Sequence, residues 1–80
     1  MNKRAFNADK KYAIRQEVLE AKDILLRRST FTMCEVYRTE DVGDITLYLA
    51  IAELLEEGCI SGMHPYEEDW NAEMTYTRIK

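Results

Sequence analysis

The fold is decided by residues 32–60, TMCEVYRTEDVGDITLYLAIAELLEEGCI. Apolar residues recur there at helical spacing, at Leu47, Ile51, Leu54 and Leu55. Asp44 is the predicted N-cap of this helix, because its carboxylate can accept from the free N–H groups of the first turn. Gly58 is the predicted left-handed residue that ends the helix. The pattern therefore predicts a helix with one legible core face.

A shorter helix is predicted just before it. Met33, Val36 and Tyr37 give one or two turns with an apolar side, and Thr32 with Glu35 three residues later fits a capping box. Two helices joined by a short turn that holds a glycine are typical of a helix-turn-helix motif.

The chain begins with basic residues and then a long amphipathic stretch. Residues 1–7 are expected to form a basic arm, disordered or a frayed helix start, with Asn7 as the N-cap of the first core helix. From about residue 8 to 28 a stripe predicts that helix, with spacings of four, three and four between Ile14, Val18, Ala21 and Leu25. Further apolar residues widen this stripe and leave Leu19 or Leu26 for a two-fold contact, so a homodimer is compatible with the pattern.

Short strands are expected on both sides of the two helices. Phe31 and Thr32 could form a very short strand, whereas residues 59–63 and 74–79 predict two strands from their β-branched and aromatic content. The stretch HPYEEDWNA between them predicts a long hairpin loop. With 80 residues the chain supports one core, so we expect a single α+β domain over residues 1–80.

The element order is helix, short strand, helix, helix, strand, loop, strand. Together with T-x-x-E-V…D-I-T-L-x-x-x-I-x-x-L-L-E-E-G-x-I it resembles the winged helix-turn-helix superfamily of prokaryotic and phage regulators. The resemblance implies three helices plus a C-terminal β-hairpin wing at residues 64–73. It also implies groove-facing positions on the second helix of the motif, at Ile45, Thr46, Tyr48, Leu49, Ala52 and Glu53.

The charge distribution argues against the DNA contact that this resemblance implies. No Lys or Arg lies between Thr39 and Thr77, while ten acidic residues do, and the net charge of the whole chain is −4. Since DNA affinity depends strongly on Lys and Arg at the phosphates, this half of the chain should repel a duplex. Any DNA contact would fall to basic residues outside it, namely Lys3, Arg4, Lys10, Lys11, Arg15, Arg27, Arg28 and Arg38.

The acidic surface has two interpretations. Acidic residues keep small proteins soluble, and this alone could explain them. Aromatic residues among the acids point instead to a partner, because exposed aromatics are enriched at protein interfaces. Trp70 either packs back on the sheet or contacts that partner, and Tyr48 and Leu49 are either covered by the loop or presented. The predicted protein-binding residues are Tyr48, Glu53, Tyr66, Glu67, Glu68, Asp69 and Trp70.

Other classes of function find little support in the sequence. His64 in an acidic loop is a poor catalytic base, and no glycine-rich phosphate loop is present, so neither catalysis nor a cofactor or small-molecule substrate is expected. Cys34 and Cys59 lack a metal-site spacing and are expected as free thiols, with a redox disulfide as the alternative. Without an apolar stretch of membrane-spanning length or a signal-peptide core, a cytoplasmic protein is expected.

The sequence supports two hypotheses. In the first, the protein is a non-enzymatic regulatory module that binds a partner with a basic surface and inhibits or redirects a nucleic-acid-handling host factor. Small acidic modules of this kind are expected among phage or mobile-element proteins. In the second, it is a DNA-binding transcriptional regulator that uses the basic N-terminal half as a dimer.

Overall fold

The structure is a computed structural model that describes the backbone of residues 3–80 and the side chains of residues 14–80. Over this range the chain forms a small α+β domain with three helices and a three-stranded antiparallel sheet. The elements in chain order are α1 (Lys3–Leu26), β1 (Thr30–Thr32), α2 (Met33–Thr39), α3 (Asp44–Glu56), β2 (Ile60–Ser61) and β3 (Thr75–Arg78).

Helix α1 is longer at its start than predicted. It begins at Lys3, so Asn7 lies inside the helix and the N-cap predicted there was wrong. The predicted basic arm, residues 1–7, overlaps the start of this helix, and its side chains lie outside the residues that the structure describes. The helix ends at Leu26, which leaves the Arg27–Arg28 pair just beyond its last turn.

The predicted stripe of α1 is buried over most of its length. Val18, Ala21 and Leu25 are at most 1% exposed, but Ile14 is 39% exposed. At 1.5 Å per residue α1 is about 36 Å long, whereas α3, which packs against it, is about 20 Å long. The shorter helix therefore covers only part of the stripe.

The start of α2 is held by its predicted cap. The Thr32 hydroxyl accepts from the Glu35 backbone N–H at 3.1 Å, which is one half of a capping box. On the predicted apolar side Met33 and Val36 are buried, whereas Tyr37 is 54% exposed. Its neighbour Val36 fills the core side of this two-turn helix instead.

Helix α3 matches its predicted core face. Leu47, Ile51 and Leu54 are fully buried, and Gly58 has a φ of +73° after the helix end. The N-cap is Gly43 and not Asp44; Asp44 is the first helical residue, and its carboxylate accepts from the Ile45 N–H at 2.8 Å.

The sheet differs from the C-terminal β-hairpin that was predicted, because it has three strands and includes the short early strand. Its strand order is β1-β3-β2, so β3 pairs with β1 as well as with the two-residue strand β2. Phe31 faces Tyr76 across β1 and β3, and their rings stack with centroids 5.4 Å apart. Because both rings are buried, this pair explains why the early strand joins the sheet.

One cluster of buried apolar side chains unites these elements. It draws on all three helices and all three strands, with Leu25, Phe31, Val36, Leu54, Ile60 and Tyr76 among its members. The segment between β2 and β3, residues 62–74, passes along the edge of this cluster and is named the 62–74 loop.

Candidate functional site

The 62–74 loop is attached to the core through the hydroxyl of Tyr76. This hydroxyl donates to the Met63 carbonyl at 2.5 Å and accepts from the Trp70 Nε1–H at 2.8 Å. The side chain of Tyr76 is buried, and that burial raises the pKa of the phenol above its ordinary value of 10.0. One neutral hydroxyl therefore joins the start of the loop, at Met63, to its middle, at Trp70.

Of the two positions that the sequence left open for Trp70, the structure shows the one that packs back on the domain. Its ring is partly buried and packs against the core cluster, which makes it a structural residue of the loop. The same residue also lines an open groove on the surface. The indole is thus held in a defined position while part of it remains accessible.

The groove lies between α2, the first turns of α3 and the 62–74 loop. It consists of two adjoining hollows that share Met33, Asp44 and Trp70, and the larger measures about 380 Å³. Its other walls are formed by residues of α2, α3 and the loop, namely Cys34, Tyr37, Ile45, Tyr48 and Ala72. Apart from the Asp44 carboxylate and the tyrosine hydroxyls, these walls are apolar.

Two of the groove residues are more exposed than apolar residues usually are. Ile45 is 72% exposed and Tyr37 is 54% exposed. Ile45 was predicted to face a DNA groove, whereas Tyr37 was placed on the apolar side of the short helix and was not among the predicted binding residues. Val36 is adjacent to Tyr37 and occupies the core side of this short helix. That adjacency is the signal from which the exposure of Tyr37 could have been predicted.

Tyr48 and Leu49 lie in different environments. Tyr48 is half-buried and packs against the core cluster, with one side facing the groove. Leu49 is exposed, and it does not line the groove. Of the two, only Tyr48 contributes to the candidate site.

The loop residues predicted to bind protein are presented to solvent. Glu67, Glu68 and Asp69 are exposed and make no ion pair with any residue from 14 to 80. Tyr66 is 71% exposed, and its ring lies 3.9 Å from that of His64, centroid to centroid. Residues 66–69 directly precede Trp70 in the sequence, so the three acids are close in the chain to a residue that lines the groove.

Glu53, also predicted to bind a partner, is occupied within the domain. Its carboxylate accepts from Arg15 at 2.5 Å and from Lys22 at 3.2 Å, and Lys22 also donates to Glu57 at 2.8 Å. The hydrogen bond from Arg15 is the main cause that lowers the pKa of Glu53, and the bond to Glu57 is the main cause that raises the pKa of Lys22. These contacts link α1 to α3 and remove Glu53 from the free acidic surface.

Arg28 is engaged in a similar way. Its guanidinium donates to Glu35 at 3.2 Å and to Glu40 at 3.0 Å, at the two ends of α2. Two residues of the predicted DNA-binding set, Arg15 and Arg28, therefore form ion pairs with carboxylates of the same domain.

The rest of that set is divided. Arg27 and Arg38 are exposed and form no ion pair within residues 14–80. The side chains of Lys3, Arg4, Lys10 and Lys11 lie outside the described residues. The described side chains thus bring no cluster of free cations together beside α3.

The two thiols are not paired with each other. Cys34 and Cys59 are free and partly buried. In the described part of the chain, no group of histidine, cysteine and acidic side chains could hold a metal ion. No helix there has the length and apolar character needed to cross a bilayer.

Comparison of the chain with protein-family models, curated proteins and solved structures finds no match.

Proposed function

We propose that this protein is a small, non-enzymatic winged-helix module that regulates a partner protein by direct contact. The partner has a basic surface, as proteins that handle nucleic acids do, and contact with it inhibits or redirects that protein. The element order α1-β1-α2-α3-β2-β3 supports the winged-helix assignment, with the 62–74 loop in the position of the wing.

The observation that carries the proposal is the unbalanced charge on α3 and the 62–74 loop. Of the ten acidic residues between Thr39 and Thr77, only Glu40, Glu53 and Glu57 form ion pairs within residues 14–80. The other seven lie in a stretch of sequence without a single Lys or Arg, and of these Asp41, Asp44, Glu56, Glu67, Glu68, Asp69 and Glu73 are all exposed. Such a surface attracts a basic protein and accelerates the encounter, whereas it repels a phosphate backbone.

Charge reversal in the loop tests this proposal. A triple variant, Glu67→Lys, Glu68→Lys and Asp69→Lys, is compared with a control that reverses the exposed Glu20 and Asp23 of α1. Both variants and the wild type are immobilised and exposed to lysate of the cells that make the protein. We expect the wild type and the α1 control to capture the same basic protein and the loop variant to lose it. Equal capture by all three would contradict the proposal.

The alternative function is that of a DNA-binding regulator. The exposed Arg27 and Arg38, with the basic residues that begin the chain, favour this alternative. It requires a docking mode in which a duplex avoids α3 and the 62–74 loop. A titration with mixed-sequence duplex separates the two functions, because only the regulator would bind it.

A homodimer is compatible with both functions and would use the first helix. Leu26 packs against the core cluster, but Leu19 is exposed and remains free for such a contact. Sedimentation of the wild type and of Leu19→Ser tests this contact. A dimer that the substitution dissociates supports it, and a wild-type monomer at tens of micromolar contradicts it.

A further inference from the structure

We propose that the groove between α2, α3 and the 62–74 loop binds a positively charged peptide segment of the partner through one large apolar side chain. This inference rests on the proposed function and names the chemistry of the segment that is recognised. The segment carries an apolar residue that enters the groove and Lys or Arg residues on either side of it.

The walls of the groove have the properties of a site for an apolar anchor. Tyr37, Ile45 and Trp70 come from three separate elements: Tyr37 lines the larger hollow, Ile45 lines the smaller one, and Trp70 lines both. A hollow of about 380 Å³ lies at the small end of the range for ligand pockets, which suits a side chain better than a large cofactor. Aromatic residues in a concave surface are also the most frequent energetic centres of protein interfaces.

The groove is preorganised by contacts within the domain. The Trp70 indole is fixed by its hydrogen bond to Tyr76, and Tyr48 is fixed by its packing on the core cluster. A peptide would therefore order few side chains of this protein on binding, and the entropic cost of association stays low.

Charge identifies the occupant. Asp44 lines both hollows, and Glu67, Glu68 and Asp69 lie just before Trp70 with no ion pair in the described range. Lys and Arg beside the anchor would meet these carboxylates. A second copy of this chain, with a net charge of −4, would instead bring like charges together at the same face.

The test uses Trp70, the only tryptophan of the chain, as the reporter. A short synthetic peptide with one Leu among Lys residues is titrated into the protein, beside one peptide with Ser for Leu and one with Glu for Lys. We expect the first peptide to shift the Trp70 emission to the blue and to saturate. The Ser peptide should bind at least about tenfold more weakly, and the Glu peptide should not bind.

A matched pair of variants places the contact. Ile45→Ser removes an exposed wall of the groove, while Ile79→Ser makes the same change at a residue that is 58% exposed and does not line it. We expect Ile45→Ser to weaken binding of the Leu peptide about tenfold and Ile79→Ser to leave it unchanged. Both changes lie at exposed positions, so circular dichroism should show folded proteins.

Several outcomes would overturn the inference. The first two are absence of binding by the Leu peptide and equal affinity of the protein for the Leu and Ser peptides. The others are equal effects of Ile45→Ser and Ile79→Ser on binding, and an emission shift that follows the protein concentration and not the peptide concentration. The loop-reversal experiment is independent of these. If a basic protein is still lost on loop reversal while the Leu peptide fails, the groove is not the contact site and the proposed function stands. If loop reversal has no effect, the proposed function itself fails.

Discussion

The indole N–H of Trp70 donates to the hydroxyl of Tyr76 at 2.8 Å. Tyr76 is at the centre of the sheet and stacks on Phe31 of β1, whereas Trp70 stands in the middle of the acidic loop. The position of the loop, and with it one wall of the groove, therefore depends on a hydroxyl that belongs to the core. This contact links the stability of the domain to the presentation of the candidate surface, together with the packing of Trp70 on the core cluster and the hydrogen bond from the Cys34 N–H to the Ala72 carbonyl.

Tyr76→Phe should destabilise the protein by about 1–3 kcal/mol. The substitution keeps the stacked ring but leaves the Trp70 N–H and the Met63 carbonyl without their partner. Urea unfolding measures the loss. Tyr66→Phe is the control, because Tyr66 is exposed and its change should cost less than about 0.5 kcal/mol. Equal stability of the two variants would show that the hydroxyl does not hold the loop.

Gly62→Ser should destabilise the protein by about 1–3 kcal/mol. Gly62 has a φ of +150°, and a Cβ there would lie 2.5 Å from Cδ1 of Tyr76, whose ring is buried and cannot move away. Gly43→Ser is the same change at the N-cap of α3, where a Cβ meets no atom within 4 Å and serine is a good capping residue. Thermal unfolding should show a lower midpoint for Gly62→Ser alone; a matching loss in Gly43→Ser would mean that close approach is not the cause.

Glu53→Gln should lower the free energy of unfolding at neutral pH by less than about 1 kcal/mol, since the ion pairs lie near the surface. The folded state lowers the pKa of Glu53 below its ordinary value of 4.5. Its contribution is therefore present above pH 4.5 and is lost as the pH falls through the lower pKa of the folded protein. Urea unfolding across acidic pH should show wild type and variant converging as the pH drops.

Glu56→Gln is the matched control for this series, because Glu56 lies on the same helix, is exposed and forms no ion pair within residues 14–80. Its stability should follow that of the wild type at every pH. A constant gap between the wild type and Glu53→Gln down to the lowest pH would refute the assignment of that carboxylate to Arg15 and Lys22.

The sequence predicted those parts of the fold that depend on residues close together in the chain. The core face of α3, its end at Gly58 and the Thr32 cap of α2 all result from spacing and local hydrogen bonding. The exposure of Tyr37 was not predicted, because spacing alone does not show that Val36 fills the core side of so short a helix.

Contacts between distant residues could not be predicted in this way. The pairing of Arg15 with Glu53 depends on the relative rotation of α1 and α3, which the periodicity of either helix leaves open. The hydrogen bond of Trp70 depends likewise on how a long loop folds back on β3. Glu53, which was predicted to bind a partner, therefore forms an ion pair within the domain. Tyr37 and Ile45, which were not among the predicted protein-binding residues, line the groove beside Trp70.

The most direct test of the account is a titration of the protein with mixed-sequence DNA duplex at about 50 mM salt, where phosphate contacts are strong. We expect no saturable binding at micromolar duplex. The reasons are the free carboxylates of α3 and the 62–74 loop, and the ion pairs that Arg15 and Arg28 form within the domain. Micromolar or tighter binding that weakens steeply as salt is raised would contradict the account and support the DNA-binding regulator.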